Sequence, residues 1–365
     1  MKRTKDIIRF LSLLAPCLFC ACTTAPQKQV DSINMAAILP LSGSRAEEGH
    51  MLRRGIEIAV AQINKRAGKE SLPRVKLTYA DTGSSNENIR DIVRAVQDSG
   101  AEVIHAGLSD DIAFGIEELG KRQDILVNFL CEYPPAAVQV KNALRIYSNG
   151  AQICEKMAEV ASVKAEKFGD KKILIASVDN IAGTSCGNYL KFQTGSSNFK
   201  MFAEKFREGE SDFEIFAAQI KNIKPDYILV YSKGKSAEHF LQALEKAGYE
   251  GIFATNETFA DQDLKSSKEI KVFQVESAFS RNDVKCPKAK NFAGEFEEKF
   301  KAKPNFAAAF AYDAVWATYE AMLKANRDAK LARESLLGKS LDGASGKIQI
   351  DKLGDSTSEL SLSRK

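Results

Sequence analysis

The first chemistry to test is the run "GTSCG", residues 183–187, which spells the G-x-S-x-G pattern of a nucleophile elbow. That pattern needs its serine on a sharp turn directly after a strand, with a histidine downstream. Here "VDNIAGT" stands between the apolar run and Ser185. Of His50, His105 and His239 only the last lies downstream, inside the helical pattern "SAEHFLQAL". Acyl-transfer catalysis is therefore not expected, and the chain reads as a non-enzyme. Cys17 and Cys20 have zinc-like spacing but sit in the leader, and no other metal cluster or cofactor fingerprint stands out, so neither metal nor cofactor is expected. What remains is binding chemistry. In "AAILPLSGSRAEEG", residues 36–49, an apolar run stops in Ser42-Gly43-Ser44 and charges follow at once. Hydroxyls at such a point either donate to a ligand or cap the following helix.

The elements that must position these groups alternate regularly from residue 34. Apolar runs of strand length are "MAAILPL", "RVKLTYA", "AEVIHAG" and "DILVNFL". Between them lie helical patterns, such as Leu52, Gly55, Ile56, Ala59, Val60 and Ile63 on one face with Gly68 as a stop. The alternation restarts after "LRIYSNG" with a helix over "AQICEKMAEVASVKAEKFG" and strands "KKILIASV", "KPDYILVYS" and "EGIFATN". Continuous apolar strands alternating with helices imply parallel sheets covered on both faces, here in two doubly wound units.

Upstream, "MKRTKDIIR" is basic and "FLSLLAPCLFCA" is apolar but too short to span a bilayer, the layout of a secretory signal. Phe19-Cys20-Ala21-Cys22 resembles a bacterial lipobox, which implies cleavage before Cys22 and lipidation of its thiol. Residues 1–21 then form a signal peptide and 22–33 a polar tether. Lys2, Arg3, Lys5 and Arg9 against Asp6 carry +3 of the formal net charge of +4, so the remaining chain is near neutral. No basic run interleaved with aromatics occurs, which excludes nucleic acid as a partner. Cys131, Cys154, Cys186 and Cys286 lie beyond the lipobox, in a compartment where disulfides persist; they allow three complete pairings or none.

Four segments in order, "AAILPLSGSRAEEGHMLRRGIEIAVAQIN", "DFEIFAAQIKNIKPDYILVYSKGKSAEHFLQALEKAGY", "AYDAVWATYEAM" and "SGKIQIDKLGD", together resemble the type I periplasmic binding proteins. More narrowly they are similar to the branched-chain amino-acid-binding family of ABC-transporter receptors. The resemblance implies an α/β fold of two Rossmann-like lobes joined by three crossings. Lobe 1 would take residues 34–148 and 283–340, and lobe 2 would take 149–282 and 341–365. It further implies a monomeric, lipid-anchored receptor on the periplasmic or outer side of a bacterial cell envelope. Such a receptor closes on a small polar or amino-acid-like ligand and presents it to ABC permease subunits. The other reading is a sensor or regulator lipoprotein of the same fold.

Ligands of open α/β sheets sit outside the carboxyl ends of the strands, which puts Ser42, Ser44 and Arg45 at the cleft. By the resemblance Ser109 holds a ligand carboxylate or merely caps its helix, with Asp110 and Asp111 beside it. Cys131 and Glu132 stand where the family has small residues and a threonine, and Glu132 points either into the cleft or outward. Ala182 replaces a family tyrosine, leaving Asp179 and Asn180 as polar candidates. Glu257 falls where the family binds the ligand amine. Arg45 and Lys233 are cations on cleft-side loops, read as solvated. If the acids face inward, the ligand carries an amine or several hydroxyls.

Overall fold

The computed structural model describes residues 32–107, 115–133, 140–162, 171–195, 199–258, 264 and 269–365. The first sheet is built from β1 (Ile33–Leu39), β2 (Val75–Asp81), β3 (Val103–Gly107), β4 (Leu126–Leu130) and β5 (Ala143–Arg145), all parallel, in the order β2-β1-β3-β4-β5. Between them run α1 (Ala46–Glu70), α2 (Ile89–Asp98) and the single turn α3 (Ile116–Leu119). Strand β1 shows why both faces must be covered. Ile33, Met35, Ala37 and Leu39 point into one core, and Ala36 and Ile38 into another on the opposite face, as the two-residue period of a strand requires.

The second sheet repeats the plan. It comprises β6 (Lys171–Val178), β7 (Phe199–Phe206), β8 (Tyr227–Tyr231), β9 (Gly251–Asn256) and β10 (Ile270–Ser277). Its order, β7-β6-β8-β9-β10, is that of the first sheet, and β14 (Leu360–Arg364) is added antiparallel to β10. The helices are α4 (Gly150–Ser162), α5 (Ile181–Gly195), α6 (Glu214–Ile223) and α7 (Ser236–Lys246). A Cys154–Cys186 disulfide ties α4 to α5, while Cys131 and Cys286 are not disulfide-bonded.

After β10 the chain returns to the first lobe as α8 (Pro287–Phe300), α9 (Phe306–Lys324) and α10 (Ala329–Leu336). Helix α9 is apolar nearly all round and packs on α1 and the first sheet. The contact is close because Gly55 has no side chain: a Cβ there would stand 2.1 Å from the Ala308 carbonyl oxygen. A small antiparallel sheet follows, β11 (Ser340–Gly343), β12 (Gly346–Ile350) and β13 (Ser356–Ser358). Residues 341–350, assigned from the sequence to lobe 2, belong here to lobe 1. Ala344, Ile348 and Ile350 share its core, and buried Asp313 of α9 accepts from the Ala344 and Ser345 amides at 2.7 and 2.8 Å. Only β14 joins lobe 2 from this tail.

The chain thus passes between the sheets at 146–149, at 278–286 and at Glu359. Ser356 Oγ donates to the Tyr147 carbonyl at 2.8 Å, and Gln152 Nε2 donates to the Ser358 carbonyl at 2.7 Å, joining the first and third strands of this hinge. Arg145, 2% exposed, pairs with Asp355 at 2.9 Å and donates to the Cys131 and Glu132 carbonyls. Helix α1 runs through Gly68 and stops at Ser71, whose positive φ of 55° ends it.

Candidate functional site

In both sheets the first strand lies between the second and the third, so neighbouring connections leave on opposite faces and open a crevice. The carboxyl ends of β1 and β2 in one lobe face those of β7 and β8 in the other. Between them lies a cavity of about 490 Å³, lined by Ser44, Arg45, Glu48, Ser84, Glu208, Gly209, Glu210, Lys233, Gly234, Lys235, Ser236 and His239. No apolar side chain is among these lining residues.

The turn after β1 is held from beneath. Asp81 Oδ1 accepts from the amides of Leu41, Ser42 and Gly83 at 2.7, 3.1 and 2.9 Å. Ser84 Oγ donates to the Ser42 carbonyl at 2.6 Å and accepts from the Arg45 amide at 3.0 Å. Gly43, at φ 81°, makes this turn possible, since a Cβ there would strike Gly83 and Ser84. Ser44 makes no side-chain cap to α1, whose N-cap position is Arg45, and it lines the cavity instead. Ser42 is exposed at the rim.

Two ion pairs cross from lobe to lobe. Arg45 Nε and Nη2 donate to Glu208 at 2.7 and 3.2 Å, a two-pronged geometry that fixes orientation as well as charge. Asn180 Nδ2 adds a third donor to Glu208 at 3.0 Å, while its Oδ1 accepts from Gly183 at the start of α5. Burial opposes the charge on Glu208, but Arg45, Asn180 and Lys233 outweigh it and hold the carboxyl below its ordinary value. The second pair joins Lys233 Nζ to Glu132 at 3.1 Å, with the Tyr231 hydroxyl also donating to Glu132. Burial alone would depress Lys233; Glu132 and Glu48 raise it above the usual lysine value instead. Arg45 and Lys233, expected to be solvated, are 13% and 15% exposed. Closely facing acids draw them inward.

Glu132 therefore points into the cleft rather than outward, and its charge is met from the other lobe. Cys131 beside it is buried in the lobe 1 core. Asp179 is exposed and pairs with Lys205 at 2.8 Å, away from the cavity. Ala182 is fully buried in the lobe 2 core, because α5 packs its first turn against β6, so it lines no cleft. Glu257, expected to hold a ligand amine, is occupied within its own lobe: the Ser277 amide donates to it at 2.9 Å, and the Ser280 hydroxyl donates as well. Burial pushes its carboxyl up to about 7. Ser109, Asp110 and Cys22 lie outside the described residues. Ser185 sits inside α5 next to a disulfide-bonded cysteine, not on a strand-to-helix turn. Among the described residues no group of three or more His, Cys, Asp and Glu could hold a metal ion, and no helix is long and apolar enough to cross a membrane.

Sequence reasoning missed Glu48, Glu208, Ser84 and His239. Glu48 sits in "RAEEG", where charges suit any first helical turn. Glu208 follows β7, a mostly half-buried or exposed strand whose "FKMFAEKF" has charges on both faces, so it does not read as an apolar run.

Two lobes of like topology, hinged by three crossings around a polar cleft, define a two-domain solute-binding protein of the type I periplasmic fold. Residues 32–357 match the family described as periplasmic binding protein, and the chain belongs to that family. Similar solved structures include a leucine-binding protein, LivK, of Thermotoga maritima, with TM-score 0.76, 20% identity and coverage of 91% of this chain and 97% of that one. The substrate-binding protein LivJ of Streptococcus pneumoniae, in complex with isoleucine, gives 0.75 at 18% identity over 92% and 100%. A solute-binding protein of an ABC transporter of Rhodopseudomonas palustris, in complex with 3,4-dihydroxybenzoic acid, gives 0.76 at 18% over 92% and 93%. No curated protein sequence matches the chain.

Proposed function

We propose that this protein is the extracytoplasmic receptor of an ABC transporter, tethered through a lipidated Cys22, and that its cleft takes a small, polar, amine-bearing solute. It binds and delivers rather than catalyses. The observation that carries the ligand class is the cavity wall of charged and hydroxyl groups without an apolar side chain. Burying a leucine or phenyl group is worth roughly 1.5–3 kcal/mol against apolar surface. Against this wall it would instead strip water from charges, which costs free energy unless they are paired. The structural relatives include a leucine-binding protein and proteins in complex with isoleucine and with 3,4-dihydroxybenzoic acid; the lining here favours neither aliphatic nor aromatic acids.

The test is a thermal-shift screen of the purified protein against amino acids, small amines, amino sugars and aromatic acids. A true ligand at a hundred times its Kd stabilises the fold by about 2.7 kcal/mol. Polar amines should raise the melting temperature while leucine and benzoate leave it unchanged. A response to leucine or benzoate alone, or to no solute, would overturn the reading.

A further inference from the structure

The cross-lobe charges do not balance. Arg45 is engaged by Glu208, and Lys233 by Glu132. Glu48, projecting from the first turn of α1 into the same cavity, makes no hydrogen bond or ion pair with any described residue. Glu48 is half-buried; a carboxylate stripped of part of its water without a partner is disfavoured, and among the described residues Glu48, Glu132, Glu208 and Glu210 against Arg45, Lys233 and Lys235 leave one negative charge in excess. Glu210 does not serve Glu48 either, since its carboxylate accepts from its own loop amides of Ser211 and Asp212, both at 3.0 Å. Glu257, the other acid available to an amine, is occupied by Ser277 and Ser280 outside this cavity.

We infer that Glu48 is the anchor for the cationic group of the ligand, and that the cleft selects solutes with a net positive charge, such as diamines or basic amino acids. This rests on the reading of the cleft as a solute site and names the feature that chooses the solute. An ammonium or guanidinium on Glu48 gives the leftover carboxylate a partner and neutralises the cluster. It would sit beside the hydroxyls of Ser44, Ser84 and Ser236, which can accept its remaining protons.

Binding then carries a proton signature. Burial pushes the Glu48 carboxyl up to about 7, against the pull of Lys233 and Arg45 and with the help of Glu208 and Glu132. Among the described residues, Glu210, Lys235 and His239 are the other titratable groups lining this space, and the buried Tyr147 lies close enough to feel the charges of Glu132, Lys233 and Glu48. Below about pH 7 the empty site holds a proton on Glu48, and an incoming cation expels it. Affinity should therefore rise about tenfold per pH unit from pH 5 towards 7 and level off above.

The experiment is titration calorimetry of the whole protein with putrescine and L-arginine, and with L-leucine and L-glutamate for comparison. It is run from pH 5 to 8.5 in buffers of different ionisation enthalpy. The expected result is binding of the cations only, with nearly one proton released at pH 6 and almost none at pH 8.5. Glu48→Gln should weaken cation binding at pH 8 by at least thirtyfold and abolish the pH slope, while Glu48→Asp keeps the slope at reduced affinity. Far-ultraviolet dichroism of each variant checks that it folds. If a cation binds the parent and Glu48→Gln alike with the same slope, the anchor is refuted although the cleft remains a solute site. Binding of L-leucine or L-glutamate but neither cation also refutes it. If the wider thermal-shift screen finds no ligand of any class, it is the solute-site reading that fails.

Discussion

Removing the cation that bridges the lobes tests the cleft electrostatics most directly. In Lys233→Met the stem still packs over Tyr231, whose ring centroid lies 5.5 Å from Nζ, but Glu132 loses its counter-ion. Glu132 is 5% exposed, and its two donors, Lys233 and Tyr231, both belong to the opposite lobe. Breaking a buried pair by deleting one partner costs about 3–5 kcal/mol. Tyr231 still donates and Lys233 keeps some contact with water, so about 2–4 kcal/mol is the fair range. The variant escapes this cost without unfolding, because parting the lobes returns Glu132 to water. The loss should therefore fall on the closure equilibrium, a shift of about 30- to 700-fold towards the open form. Small-angle X-ray scattering should give a larger radius of gyration for Lys233→Met than for the parent. Glu132→Gln/Lys233→Met, with neither charge, should recover most of the difference. Equal radii for the parent and Lys233→Met, or a double variant as open as the single one, would refute the reasoning.

Replacing Cys154 and Cys186 by alanine opens a link across 32 residues, which the chain-entropy account values at about 3–4 kcal/mol; guanidinium unfolding of lobe 2 reads it, and an unchanged midpoint refutes it. Gly55→Ala drives a methyl into the Ala308 carbonyl and should lower stability by about 1–3 kcal/mol in urea. Glu257 is pushed up to about 7 by burial, so the fold binds its proton more tightly than the unfolded chain does. Its contribution is full below about pH 4.5 and is lost as pH rises to 7, on the order of 1–3 kcal/mol. Unfolding measured from pH 4.5 to 7.5 should show a smaller decline in Glu257→Gln than in the parent, and equal declines would sink the assignment.

The buried strands were legible because a parallel sheet covered on both faces makes strands such as β1 and β8 nearly continuous apolar runs. Helix α1 was legible because Leu52, Ile56, Ala59 and Ile63 repeat at helical spacing and are all buried. The edge strand β7 was not, since two exposed lysines and a half-buried glutamate interrupt its apolar residues, and the cleft acid just beyond it went unseen as well. Strand β10 also escaped notice: its polar residues, such as Gln274 and Glu276, break the apolar pattern although most of the strand is buried. The site was only half legible for a different reason. A strand end can be read from one segment, but which acid meets which cation depends on how two lobes face each other. Arg45 and Glu208 are 163 residues apart, and no local pattern couples them. Position alone likewise could not show that Glu257 would be taken by Ser277 and Ser280.

The return of α8, α9 and α10 to the first lobe has a consequence for the order in which the chain assembles. Strand β1 shares its core with Phe306, Phe310, Ile348 and Ile350, so the earliest strand waits for nearly the whole polypeptide before one face of its sheet is covered. The second lobe is almost contiguous between residues 150 and 277 and lacks only the closing strand β14. Domains generally fold as units, and contacts between distant segments form late because the intervening loop must first be closed. The middle of the polypeptide therefore forms the first stable body. The two ends then condense last, the amino-terminal half completed by a segment made some 270 residues after it, leaving a long interval in which the nascent protein remains open to chaperones or to threading through a pore.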